Sequence, residues 1–96
     1  VLGDMLELGE YSKQLHEKVG VEVAKNKIDI LITVGKEAKN ILNKAISMGM
    51  EKENAYNFET NEQAIELLNK ILKPEDIVLV KASNGMHFNK IIEKII

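Results

Sequence analysis

Apolar positions along the chain alternate between short continuous runs and stretches with a helical repeat. Val1-Leu2-Gly3 reads as the stub of a strand ending in a glycine. Tyr11, Leu15, Val19 and Val23 recur every four residues, which predicts a helix from Ser12, its N-cap, to about Asn26. Ile28 to Val34 is an almost unbroken β-branched and apolar run, as for a strand covered on both faces, and Gly35 ends it. Ala38, Ile41, Leu42, Ala45 and Ile46 fit one face of a second helix over about Lys36 to Met48, with Gly49 as a left-handed stop. Ala55 to Phe58 is a short strand. Thr60 with Gln63 forms a capping box, and a third helix carrying Ala64, Ile65, Leu67, Leu68, Ile71 and Leu72 runs from it until Pro74 stops it. Ile77 to Val80 is a fourth strand. Phe88, Ile91, Ile92, Ile95 and Ile96 stripe a last helix that begins near His87.

Strands alternating with helices predict an α/β domain with a parallel sheet. Right-handed crossovers then favour the order 3-2-1-4, counting the stub as strand one. The expected fold is a three-layer, Rossmann-like domain with a mostly parallel sheet of about four strands and helices on both faces. In that order the chain winds one way from strand one to strand three, then returns to the other side of strand one. The loops after strands one and four rim a crevice at this switch point, where open α/β sheets bind ligands. Asp4 and Lys81-Ala82-Ser83-Asn84 stand on that rim.

Composition narrows the chemistry. With 96 residues, 45% of them hydrophobic, the chain is one globular domain with a modest core. Its net charge is −2, and all 13 basic residues are lysine, which gives no nucleic-acid footprint. There is no cysteine, so disulfides, thiolate catalysis and cysteine-type zinc sites are excluded. His16 and His87 lack metal-ligand spacing. No run has the length of a membrane span and no signal-peptide pattern is visible, so the chain reads as cytoplasmic, with no membrane partner. Val1 lies mid-strand, as expected of a fragment of a longer protein.

Lys81, directly after an apolar strand, suits a carboxylate or phosphate as a point charge; the plainer role is a lysine snorkelling at the sheet edge. Ser83, Asn84 and Gly85 offer hydroxyl, amide and backbone N–H groups to an anion, or ordinary turn chemistry. No histidine–carboxylate pair is placed to make Ser83 a nucleophile. Asp4 either positions a substrate group or caps the turn after the first strand. Glu7 and Glu10 read as solvated surface. His16 borders the apolar stripe of the first helix, where a packed, hydrogen-bonded imidazole is the commoner role; His87 stands at the start of the last helix. Gly35-Lys36 is not a phosphate loop, since position 30 is Ile30 and residue 37 is Glu37. There is no G-x-G-x-x-G either.

Val1-Leu2-Gly3-Asp4-Met5-Leu6-Glu7-Leu8-Gly9, followed by Leu15-His16 and Val19-Gly20, resembles the signature that opens the C-terminal domain of the Mur ligase family. Leu79-Val80-Lys81-Ala82-Ser83-Asn84-Gly85-Met86 is similar to the Lys-Gly-Ser-Arg-Gly-Met stretch of its members that take a dipeptide. Ala82 replaces a usual glycine, Asn84 a usual arginine, and His87-Phe88 a basic–apolar pair. Losing the arginine removes a bidentate carboxylate clamp and leaves Lys81 more of the anion binding.

The resemblance implies a three-domain, ATP-dependent ligase that adds D-alanyl-D-alanine to a UDP-N-acetylmuramoyl tripeptide. Its N-terminal domain binds the UDP-sugar peptide, and its central domain holds the P-loop and the magnesium ligands. The chain would be the C-terminal, substrate-positioning domain, residues 1–96, inactive alone and without bound ATP or magnesium. The resemblance implies that Lys81, Ser83, Asn84 and Asp4 bind substrate and that Asp4 and His16 face the nucleotide, with no metal ligand. The alternative from another class is a non-catalytic Rossmann-like binding or interaction module. The short first strand is either completed by residues outside this sequence or leaves the sheet centre weakened and open to self-association through exposed edges.

Overall fold

The computed structural model describes residues 1–95, with Asn84 described by its backbone alone; Ile96 lies outside the described residues. The elements are β1 (Leu2–Gly3), α1 (Ser12–Lys25), β2 (Leu31–Val34), α2 (Lys39–Ser47), β3 (Ala55–Phe58), α3 (Asn61–Ile71) and α4 (Asn89–Ile95). Single 3₁₀ turns occupy Gly9–Tyr11, Lys52–Asn54 and Asn84–Met86.

β2 organises the domain. Its four residues Leu-Ile-Thr-Val are all buried, because it pairs in parallel with β1 on one side and β3 on the other, and helices cover both faces. Side chains alternate across a strand. Leu31 packs with Val23 of α1 and with Ala38, Ile41, Leu42 and Ala45 of α2 and its lead-in. Ile32 and Val34 face the opposite way, onto Ala64 and Leu68 of α3 and Phe88 and Ile91 at α4. The result is three layers, α1 and α2 on one face of the sheet and α3 and α4 on the other. Thr33 is also fully buried, and its hydroxyl is satisfied: it donates to the Tyr56 carbonyl at 3.2 Å and accepts from Asn57 Nδ2 at 2.8 Å. Each large apolar side chain removed from water here contributes about 1.5–3 kcal/mol.

Local signals account for several boundaries. At α3 the Thr60 hydroxyl accepts the Gln63 N–H at 3.2 Å, and Gln63 Oε1 accepts the Thr60 N–H at 3.1 Å, so the capping box forms as its spacing predicts. Gly49, at φ 114°, takes the left-handed conformation that ends α2. α1 and α2 approach closely at Gly20, where a Cβ would stand 2.5 Å from the Ile41 carbonyl oxygen and 2.8 Å from Lys44 Cβ.

Three expectations are corrected. The buried face of α1 is His16, Gly20 and Val23, and Tyr11 and Leu15 are exposed. A spacing of four overshoots the 3.6-residue turn by roughly 40° per step, so Tyr11 and Val23 lie on different faces. Ser12 is the first residue of α1 rather than its side-chain cap. The last helix starts at Asn89, because His87 sits at φ 56° and cannot continue a right-handed helix.

The sheet has three parallel strands among the described residues, in the order β1-β2-β3. The expected fourth strand, Ile77 to Val80, does not form. Its continuation makes one parallel bridge, Leu2 to Lys81, on the side of β1 away from β2. Parallel pairing advances residue by residue, so a two-residue β1 leaves Ile77 to Leu79 with no strand residue opposite. Ile77 is 99% exposed and Leu79 67%. No helix among the described residues is long and apolar enough to cross a membrane.

Candidate functional site

All three strands are parallel, so the turns that follow them gather at one end of the sheet. Two meet at β1. Gly3 N–H donates to the Lys81 carbonyl at 3.0 Å, and Lys81 N–H donates to the Val1 carbonyl at 3.0 Å. The loop from β1 then leads to α1 on one face, and the segment from Lys81 leads to α4 on the other. Before they part they are stitched together. Ser83 N–H donates to the Asp4 carbonyl at 3.2 Å, and Leu6 N–H donates to Ser83 Oγ at 2.8 Å. The structure therefore brings Asp4, Lys81 and Ser83 to the same end of the sheet.

The close approach needs small residues. A Cβ on Gly3 would stand 2.5 Å from the Phe88 ring and 2.8 Å from Ala82 Cβ. The methyl of Ala82, where the resemblance has glycine, fits because Gly3 has none. A Cβ on Gly85 would meet the Leu6 side chain at 2.7 Å. The turn is further tied to α3, where Asn61 Nδ2 donates to the Met86 carbonyl at 2.9 Å.

The side chains divide into two groups. Lys81 and Ser83 line an open depression of about 550 Å³, with Ala82 beside them and Phe88, Asn89 and Ile92 opposite. The Lys81 side chain is exposed. Ser83 Oγ uses a lone pair on Leu6, which leaves its hydroxyl proton for another acceptor. Asp4 is turned inward. Its Oδ1 accepts the Ala38 N–H in front of α2 at 2.6 Å, where a carboxylate is favoured by the helix dipole. Gly35, at φ 116°, has no room for a side chain, because a Cβ there would overlap the Asp4 carboxylate.

His16 is fully buried, and both ring nitrogens are engaged. Nε2 accepts the Met5 N–H at 3.0 Å, so the ring proton is on Nδ1, which donates to the Ser12 carbonyl at 2.7 Å. Asp4 and His16, expected to face a nucleotide, thus engage the protein's own backbone: Asp4 Oδ1 and His16 Nε2 accept N–H groups, and His16 Nδ1–H donates to a carbonyl. The side chain of Asn84 lies outside the described residues. Ser83 to Gly85 do not head the last helix: Asn84 and Gly85 lie within a 3₁₀ turn that ends at Met86, and His87 at φ 56° separates that turn from the helix starting at Asn89. Ser12, expected as a helix cap, and Glu37 belong to the same network. The Ser12 hydroxyl donates to Glu37 Oε2 at 3.2 Å, and lies 3.3 Å from His16 Nδ1. The signal for it was the 12, 16, 19, 20, 23 spacing, which follows the helical turn better than the spacing of four. Among the described residues no three His, Cys, Asp or Glu side chains gather to hold a metal.

The family model described as Mur ligase, glutamate ligase domain, matches residues 1–84. The chain is similar to the UDP-N-acetylmuramoyl-tripeptide--D-alanyl-D-alanine ligase of Bacillus subtilis (strain 168), with 31% identity over 96 residues, covering 100% of this chain and 21% of that protein. The enzyme of the same name from Buchnera aphidicola subsp. Baizongia pistaciae (strain Bp) is 33% identical over 97 residues, covering 100% of this chain and 20% of the relative. Among solved structures, MurF from Acinetobacter baumannii superimposes with a TM-score of 0.80 and 25% identity, over 99% of this chain and 21% of that one. The chain spans about a fifth of the length of the curated relatives it matches.

Proposed function

The chain belongs to the Mur ligase family, and we propose that it is the C-terminal, substrate-positioning domain of an ATP-dependent ligase that adds D-alanyl-D-alanine to a UDP-N-acetylmuramoyl tripeptide in peptidoglycan precursor synthesis. Relatives named for that reaction, similar over the whole chain, support this reading. The observation that carries it is the joining of the Asp4 and Ser83 loops beside an exposed lysine at the carboxyl end of a parallel sheet. The open depression that Lys81 and Ser83 line, about 550 Å³, has the size of a small-ligand site.

In this reading the Lys81 ammonium neutralises the dipeptide carboxylate as a point charge, and the Ser83 hydroxyl donates a hydrogen bond that fixes its orientation. The Asn84 amide supplements them where the resemblance has arginine. Asp4 serves through its backbone carbonyl and by anchoring its loop to α2. The N-terminal and central domains of the longer protein supply the UDP-sugar peptide site, ATP and magnesium, and closure of the three domains keeps water from the reacting carbonyl. Such a protein works in the cytoplasm. The single bridge at Lys81 supports a fourth strand over Ile77 to Val80 in the longer protein, in the order 3-2-1-4.

The test is steady-state kinetics of the full-length protein with the dipeptide. Lys81→Ala should raise its KM or lower kcat by about tenfold or more, or about 1.4 kcal/mol per decade. Unchanged kinetics would remove Lys81 from the site, and a full-length protein without ATP-dependent ligation favours a non-catalytic binding module instead.

A further inference from the structure

Three successive residues after β1 are each held by a different element. The Asp4 carboxylate accepts from Ala38 N–H before α2, Met5 N–H donates to His16 on α1, and Leu6 N–H donates to Ser83 Oγ. The second tether continues. His16 Nδ1–H donates to the Ser12 carbonyl, and the Ser12 hydroxyl donates to Glu37. Glu37 adjoins Ala38, and Met5 adjoins Asp4, so the two tethers run side by side between the same pair of segments. They close a ring from the end of β1 to the start of α2.

His16 is a fully buried polar side chain in that ring, and dipeptide binding as proposed above makes no use of it. For packing alone, an apolar side chain serves without needing hydrogen-bond partners. Neutral imidazole donates at one edge and accepts at the other, so it spans from the α1 backbone to the Met5 N–H. Met5 is bonded to Leu6, whose N–H fixes the Ser83 hydroxyl oxygen. A shift at Met5 is therefore passed directly to Ser83.

We propose that His16 is a positioning residue for the incoming substrate: through Met5 and Leu6 it sets where the Ser83 hydroxyl stands. The inference rests on the reading that Lys81 and Ser83 bind the dipeptide. It assigns His16 no contact with substrate or nucleotide.

Two substitutions separate its two hydrogen bonds. His16→Gln places an amide oxygen near the Nε2 position and keeps an acceptor for Met5. His16→Asn keeps a donor near the Nδ1 position and leaves Met5 N–H without its acceptor. In the full-length protein, His16→Asn should raise the dipeptide KM about tenfold, with the ATP KM unchanged, and His16→Gln should stay within about threefold of the parent. Hydrogen exchange read by mass spectrometry provides a measure independent of turnover. His16→Asn should speed exchange about tenfold in peptides covering residues 4–8 and 80–86, and His16→Gln should not. Equal loss of melting temperature in both variants, with exchange at 80–86 and the dipeptide KM unmoved, overturns the proposal and leaves His16 as packing. If His16→Asn does not fold, Ser12→Ala removes the hydroxyl that links Glu37 and touches His16 Nδ1, and keeps both backbone bonds of the imidazole. It should move both readouts in the same direction by about threefold, and no movement overturns the proposal. Coupled exchange at 80–86 together with a dipeptide KM indifferent to Lys81→Ala and Ser83→Ala overturns the functional reading instead, and leaves the coupling standing.

Discussion

Leu31-Ile32-Thr33-Val34 and Ile77-Val78-Leu79-Val80 are nearly the same tetrapeptide by composition, yet their fates are opposite. The first is β2, buried at every residue. The second is no strand, and two of its side chains lie open to solvent. Propensity does not distinguish them. What differs is what stands on either side. β2 has β1 and β3 as parallel neighbours and helices on both faces, whereas the second run has a two-residue β1 on one side and, among the described residues, no strand on the other. β-propensity records fit to a pleated, covered surface more than a backbone preference, and here the surface decides.

The sharpest way to break this contrast is truncation. In the 96-residue chain, Leu31→Ala should cost about 2–5 kcal/mol in chemical denaturation, from lost burial plus the cavity left behind. Leu79→Ala should stay within about 0.5 kcal/mol. Comparable losses at the two sites would mean that residues 77–80 are covered in solution, and that the contrast is wrong.

A smaller effect probes the seam between the two regions. Gly3 ends β1 with the Phe88 ring and Ala82 against it. Gly3→Ala should cost about 1–3 kcal/mol by overpacking. The pair Gly3→Ala with Ala82→Gly should recover part of that loss in a double-mutant cycle, because the two positions share one space. Strict additivity would show that Phe88 alone sets the limit.

Smaller still is a purely local feature, the cap on α3. Thr60→Ala should cost about 1 kcal/mol, read as a lower denaturation midpoint with an unchanged slope. This device was legible in the sequence because both partners lie within one turn of each other. The Ala38, Ile41, Leu42 and Ala45 face of α2 was legible for the same reason, since a helix carries its own register. The layers followed from the alternation of elements. The site was legible in outline only. That Asp4, Lys81 and Ser83 share one end of the sheet follows from topology, but their hydrogen bonds do not. Asp4 reaches Ala38 across 34 positions and Leu6 reaches Ser83 across 77, and no spacing rule covers such distances. The inward turn of Asp4 depends on Gly35 leaving room for a carboxylate, a fact about a neighbouring strand. Residues 77–80 form no strand in this chain for the reason that β2 forms one: a paired neighbour, more than the run's own residues, is needed.

The smallest expected change in stability is at Ile77. Its side chain is almost wholly solvated, so Ile77→Lys removes no burial and should leave the midpoint of the 96-residue chain within about 0.5 kcal/mol of the parent. The same substitution should act on association. The run from 77 to 80 presents the exposed apolar side chains of Ile77 and Leu79 along an edge that no strand covers among the described residues, the arrangement that recruits another edge, and a lysine there is a device by which natural sheets block such pairing. Sedimentation velocity across a concentration series should therefore show less self-association for Ile77→Lys than for the parent. The control is a lysine at exposed Met48, on the α2 side, which should change neither quantity. If Ile77→Lys instead lowers the midpoint by as much as Gly3→Ala, then residue 77 is packed in solution, and the two tetrapeptides differ less than their surroundings indicate.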